Sequence, residues 1–197
     1  MKKIVTILLL CLVTIGTTSA QTSIVAGINM ANFSGDDWGY DSDMKMGIRV
    51  GVLGKIPLSE YVSVRGGVLY SVKGYEVSDT YDPLGSGYYI DMIGTLSYIE
   101  APLGFEFSAN DMIFFHAGIY SAFLISVRNE MTGYIDNTSK DGVSSVDMGL
   151  DLGLTFLVSD AISINAGYQH GFIGAIEDSD IMNTSIVIGM GYSFGGY

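Results

Sequence analysis

The sequence predicts an all-β chain: an eight-stranded antiparallel up-and-down transmembrane β-barrel. Three observations predict it. Apolar and non-apolar residues alternate through eight segments, the connections between segments are short and long in turn, and no charge falls in the apolar register of any segment. Composition agrees, with 48% hydrophobic residues, a mean hydropathy of +0.37, 26 glycines, 13 tyrosines and only three prolines.

Residues 1–20 read as a secretory signal peptide, and residues 21–197 as the barrel. Lys2 and Lys3 form a basic start, Ile4 to Ile15 is an apolar run, and Thr18-Ser19-Ala20 is a small-residue cleavage site that places the mature start at Gln21. Cys11 lies inside the apolar run, flanked by Leu10 and Leu12, which argues against a lipoprotein site. It is the single cysteine, so the mature chain has no disulfide, no thiol nucleophile and no cysteine-based metal site. No later segment is a continuous apolar run long enough for a spanning helix.

The first strand carries Ile24, Ala26, Ile28 and Met30; the second, Met46, Ile48, Val50, Val52 and Ile56; the third, Val62, Val64, Val68, Tyr70 and Val72. The fourth carries Ile99, Ala101, Leu103, Phe105 and Phe107; the fifth, Phe115, Ala117, Ile119, Phe123, Ile125 and Val127. The sixth runs from Val146 through Met148, Leu150, Leu152 and Leu154 to Phe156; the seventh has Ile162, Ile164, Ala166, Tyr168 and Phe172; the last has Ile186, Ile188, Met190, Tyr192 and Phe194. A period of two puts each set on one face of a strand. Residues 57–60, 108–111 and 159–160 read as short turns, and residues 34–44, 76–92, 129–143 and 175–183 as long polar loops.

The charges separate the two faces. Lys45, Arg49, Lys55, Arg65, Lys73, Glu100, Glu106, Arg128, Asp147 and Asp151 all fall in the non-apolar register, as do many of the glycines. A water-soluble lipocalin-like barrel would also show two registers, but it would not need so clean an apolar face. The apolar register therefore faces lipid and the other faces the lumen, where glycines make room for long charged side chains. The net charge of −12 opposes nucleic-acid binding.

Several segments carry a family resemblance. The run from Ile24 to Gly35 (IVAGINMANFSG), the run from Gly67 to Gly74, the segment Ser97-Tyr-Ile-Glu-Ala-Pro-Leu103 and the closing Gly189-Met-Gly-Tyr-Ser-Phe194 resemble, in order, the outer-membrane β-barrel domain family of porin-family-like small proteins. The resemblance implies an eight-stranded barrel in the outer membrane, and it does not imply transport. Two departures stand out: Gly167 occupies a seventh-strand position where the family tends to carry a basic residue, and Gly195-Gly196-Tyr197 follow the aromatic at which the family tends to end.

Glu100, Glu106, Asp147 and Asp151 invite a catalytic-carboxylate reading. The stronger reading is a lumen ion-pair network with Arg49, Arg65, Lys73 and Arg128, because buried charges must be paired. His116, in the lumen register, is a hydrogen-bonded filler in preference to a pH switch. His170 and Ser121 share the lipid-facing register, as in a lipid-A-modifying enzyme, but on the seventh and fifth strands, which do not adjoin. Acidic stretches such as Asp36-Asp37 and Asp41-Ser42-Asp43 lack the spacing and glycine of a calcium loop. Gly189, Tyr192 and Phe194 have the form of an assembly signal read by the barrel-assembly machinery.

The expected function is that of a non-enzymatic, cofactor-free and metal-free monomer of the cell outer membrane. It contacts lipid and lipopolysaccharide and serves envelope structure, or surface interaction with an unspecified extracellular ligand, through its acidic loops. A narrow passive channel is the alternative, and a lipid-A-modifying enzyme a weaker one.

Overall fold

The computed structural model describes residues 21–35, 42–81, 89–131, 138–177 and 179–194. Eight strands follow one another: β1 (Gln21–Ser34), β2 (Lys45–Pro57), β3 (Val62–Tyr81), β4 (Tyr89–Ser108), β5 (Ile113–Met131), β6 (Val146–Leu157), β7 (Ile162–Gly174) and β8 (Met182–Phe194). Each pairs antiparallel with its sequence neighbour, and β8 returns to β1, from Thr22 opposite Phe194 to Ser34 opposite Met182, closing the ring. No helix among the described residues is long and apolar enough to cross a membrane; the chain crosses with strands.

The alternation sets which way each side chain points. Ile24, Ile48, Leu103, Phe105, Ile119, Leu154, Ile164, Ile188 and Met190 stand outward and exposed, forming an apolar band that lipid covers. The intervening residues are buried inside, among them Asn29, Ser71, Lys73, Glu100, Asp147 and Gln169. The three segments that read as short turns are compact turns, with Leu58 and Ser59 donating to the Val62 carbonyl, Ala109 to that of Ile113, and Val158 and Ser159 to that of Ile162.

Four features differ from the sequence reading. The long loop expected over 76–92 is largely strand: β3 and β4 continue as a paired hairpin through Val77 opposite Met92 to Tyr81 opposite Tyr89. Alternation of apolar residues ceases there because the hairpin rises beyond the lipid band, where strands no longer need an apolar face. Second, β4 and β5 slip by one residue: Ser97 pairs with Ser126 but Tyr98 with Leu124, leaving Ile125 as the extra residue of a bulge. Beyond it the faces of β5 exchange, so Val127 turns inward (2% exposed) and Arg128 outward. Third, the glycines do more than leave room for long side chains. A Cβ on Gly118 would run into the Leu103 carbonyl, and one on Gly149 into the His170 carbonyl, both on the neighbouring strand. These positions let adjacent backbones close up inside a tightly curved wall.

The described residues 175–177 and 179–181, expected as part of a long polar loop, instead cover one end of the barrel. The Ala175 amide donates to the Ile181 carbonyl, Ser144 donates through its amide to the Ala175 carbonyl and through its hydroxyl to that of Gly174, and Glu177 donates to Gly142.

Lipid-face charge should be tolerated only near the rim. Ile119→Arg, at the middle of β5, is expected to cost about 2–4 kcal/mol, and Met46→Arg, near the long-loop end of β2, about 0–1 kcal/mol. Urea unfolding in lipid vesicles, followed by the gel-mobility shift between folded and unfolded barrel, measures both.

Candidate functional site

The fold brings one group of ionisable side chains together in the lumen, while others, such as Glu60 and Asp111, stand exposed in the short turns. It takes cations from β2 and β3 and carboxylates from β4 and β6, because the inward register of each strand delivers long side chains to successive levels. Arg49 on β2 reaches across to Glu100 on β4, with Nη2 donating at 2.6 Å and Nε at 3.2 Å to the same oxygen, Oε1. Gln169 on β7 donates from Nε2 to Glu100 at 2.9 Å and to Asp151 at 3.1 Å.

A second junction adjoins the first. Lys73 on β3 donates to Asp147 Oδ2 at 3.0 Å and lies 3.9 Å from Glu100 Oε2. Asp147 also accepts from the Tyr120 hydroxyl, at 3.0 and 3.2 Å, and from Asn183 on β8 at 3.2 Å. The ammonium of Lys73 stands 3.9 Å over the Tyr120 ring. Glu100 and Gln169 are 0% exposed, and Lys73 and Asp147 1%. Water reaches none of the four, so each charge depends on its partners for compensation.

Toward the short-turn end, Lys55 donates to Glu106 at 2.9 Å and stands 4.6 Å over the Phe114 ring. Arg65 is buried at the same level (9% exposed), and His116 Nε2 lies 3.8 Å from Asp151. The interior thus holds Arg49, Lys55, Arg65 and Lys73 against Glu100, Glu106, Asp147 and Asp151, so the charges balance. Arg128 does not join them. The bulge turns it to the outer surface, where it pairs with Glu130 at 2.9 Å, both side chains being well exposed.

Several members escaped the sequence reading. Gln169, Asn183, Ser185 and Asn29 lie in the polar register, and that period-two position was their available signal. Tyr98, at 0% exposure, is a phenol turned inward. Above the ionic level an apolar plug of Phe33, Leu96, Val127, Ala175 and Ile181 packs against Tyr98 and Tyr120. Leu96 and Val127 are hydrophobes inside a lumen that the sequence reads as polar, and Ala175 and Ile181 come from a loop.

Small cavities remain within the filled lumen. One of about 20 Å³ is lined by Ser23, Lys55, Arg65, Glu106, Thr155 and Asn165, and another of about 20 Å³ lies beside Arg49 and Val187. Each holds roughly one water molecule.

On the lipid face, Ser121 is opposite Met148 and His170 opposite Leu150, with β6 between them, so the two do not form a nucleophile–base pair. The His170 ring instead stacks on Tyr168 at 6.3 Å. At the closing seam, Tyr192 and Phe194 project outward with their rings edge-on at 5.3 Å, and Gly189 faces Gly27 of β1.

Closed topology, an apolar outer band and a filled ionic lumen agree with the family comparison. The sequence profile of the outer membrane protein beta-barrel domain matches residues 13–177. The chain belongs to this family. Membership places it in the outer membrane, and the matched region stops short of β8, the strand that closes the ring. No curated protein matches the chain. Among solved structures it is similar to Neisserial surface protein A (16% identity, TM-score 0.59), covering 90% of this chain and 100% of that one. It is similar also to Ail, the attachment invasion locus protein of Yersinia pestis (16% identity, TM-score 0.54, with 90% and 100% covered). A major outer membrane protein from Thermus thermophilus matches at 15% identity and TM-score 0.54, again with 90% and 100% covered. At these identities the likeness is one of fold.

Removing one partner from the interior should be far more damaging than removing one from the wall. Glu100→Ala strands Arg49 and weakens the setting of Lys73, and is expected to cost about 3–5 kcal/mol. Arg128→Ala, in an exposed pair, is expected to cost about 0–1 kcal/mol. Equilibrium unfolding of both variants in the same lipid separates the two figures.

Proposed function

We propose that this outer-membrane barrel is a closed, non-enzymatic envelope protein whose interactions take place at its lipid face and its loop-bearing rim. The observation that carries this reading is the obstruction of the lumen at two levels. The Arg49–Glu100–Lys73–Asp147 chain crosses it, and the plug of Phe33, Leu96, Val127, Ala175 and Ile181 covers that chain. A path for solute would have to break ion pairs that are shut off from water, and breaking a buried pair leaves uncompensated charge.

The lumen carboxylates are engaged by cations, amides and a phenol, which supports a structural role for them in place of acid–base chemistry. The alternating outward residues supply the contact with lipid and lipopolysaccharide. The ring closes without an unpaired strand edge, which supports a monomer, and the outward aromatics of β8 suit recognition by the assembly machinery.

The rim sets the chemistry of an outside partner. Ail has been crystallised with the heparin analogue sucrose octasulfate, a polyanion. The present chain has a net charge of −12 while its lumen charges balance, so its excess acid lies elsewhere. A cationic or neutral partner fits such a rim, and a sulfated polysaccharide does not.

Planar-bilayer recording of the purified barrel tests the closed lumen. No steady single-channel conductance is expected from the wild type. A long-lived open state in the wild type would replace this reading with that of a narrow passive channel.

A further inference from the structure

The short-turn rim contains a feature that the closed-barrel reading does not use. Gln21, the first described residue of β1, pairs with Lys55, one position beyond the pair of Thr22 with Phe194. Gln21 lines both the cavity of about 20 Å³ inside the barrel and a mouth cavity of about 170 Å³ that includes Lys55, Glu60, Tyr61, Glu106 and Phe114. Its side-chain carbonyl oxygen is buried there without a hydrogen-bond donor. The same residue directly follows Thr18-Ser19-Ala20, the cleavage site in the sequence.

We propose that Gln21 is a modification site, at which the mature N-terminus closes into a pyroglutamyl lactam. The proposal rests on the signal-peptide reading and is independent of the closed-lumen reading. Cleavage after Ala20 frees the α-amine of Gln21. In its neutral form that nitrogen attacks Cδ of its own side-chain amide. A C–N bond forms, the bond from Cδ to the side-chain nitrogen breaks, and ammonia leaves with the displaced proton. No oxidant or co-reactant enters, and a five-membered ring is favoured because both groups belong to one residue.

The surroundings favour the product. Lys55 and Arg65 both line the inner cavity with Gln21, and Glu106, the carboxylate at that level, already accepts from Lys55 at 2.9 Å. Glu60, in an exposed turn, lines the mouth cavity with Gln21. An α-ammonium would add a charge to a rim where Lys55, Arg65 and Glu106 already line the inner cavity with Gln21. The lactam carries no charge. It also removes the free amine on which aminopeptidases act, at a rim position where the backbone is held by its pairing with β2.

The test is mass spectrometry of the N-terminal peptide from the full chain secreted by its host. Amines are labelled on the intact envelope before solubilisation, so that cyclisation during preparation is not counted. The expected peptide begins at Gln21, carries no label and is lighter by one ammonia. Gln21→Ser, which cannot cyclise, should be labelled at its N-terminus, showing that the reagent reaches this rim. A wild-type peptide beginning at Gln21 with a labelled amine would overturn the lactam while keeping the cleavage site. A peptide beginning elsewhere would overturn both.

Discussion

The structure depends on one constraint: in hydrocarbon, a backbone amide or carbonyl without a partner costs several kcal/mol, so a sheet can cross only if it has no edge. The pairing of β8 with β1 meets that condition. With eight strands the closed ring is narrow, and the interior becomes a packed region instead of a solvent space. Adjacent strands must approach closely to turn so tight a wall, and Gly118 and Gly149 stand where a side chain would meet the neighbouring backbone.

That narrowness explains the ionic lumen. Long side chains delivered inward from several strands meet near the axis, where bulk water does not solvate them. Arg49, Glu100, Lys73 and Asp147 therefore share partners, and Gln169, Tyr120 and Asn183 take up remaining hydrogen-bonding positions. Balance of charge within the lumen contrasts with the strongly acidic chain as a whole. The two regions answer to different demands: pairing inside, solvation and recognition outside.

The strands were legible because period-two alternation is a direct imprint of lipid on one face and lumen on the other. The positions of Glu100, Asp147 and Lys73 on the inner face followed from the same rule. What was not legible lay where the rule lapses. The bulge at Ile125 has no local sequence mark, since Leu124, Ile125 and Ser126 continue a plausible strand, yet it sends Arg128 outward and Val127 inward. The β3–β4 hairpin continues past the lipid band, where polar residues such as Glu76 and Ser78 are as suited to a strand as to a loop. The plug joins Phe33, Leu96 and Val127 with Ala175 and Ile181 through contacts distant in sequence, which periodicity does not encode.

The barrel has lipid outside and a filled lumen inside. Cys11 is the only cysteine and precedes Gln21, so the barrel residues offer a thiol-free background for single-cysteine substitution. The most direct measurement places cysteines one at a time at 185–190 along β8, in lipid vesicles. Labels at Ile186, Ile188 and Met190 are expected to be quenched by nitroxide lipids, while cysteines at Ser185 and Val187 escape both the lipid quencher and a charged aqueous thiol reagent. Rapid reaction of the inner positions with the aqueous reagent in a folded barrel would contradict the filled lumen, and their quenching by lipid would reverse the faces.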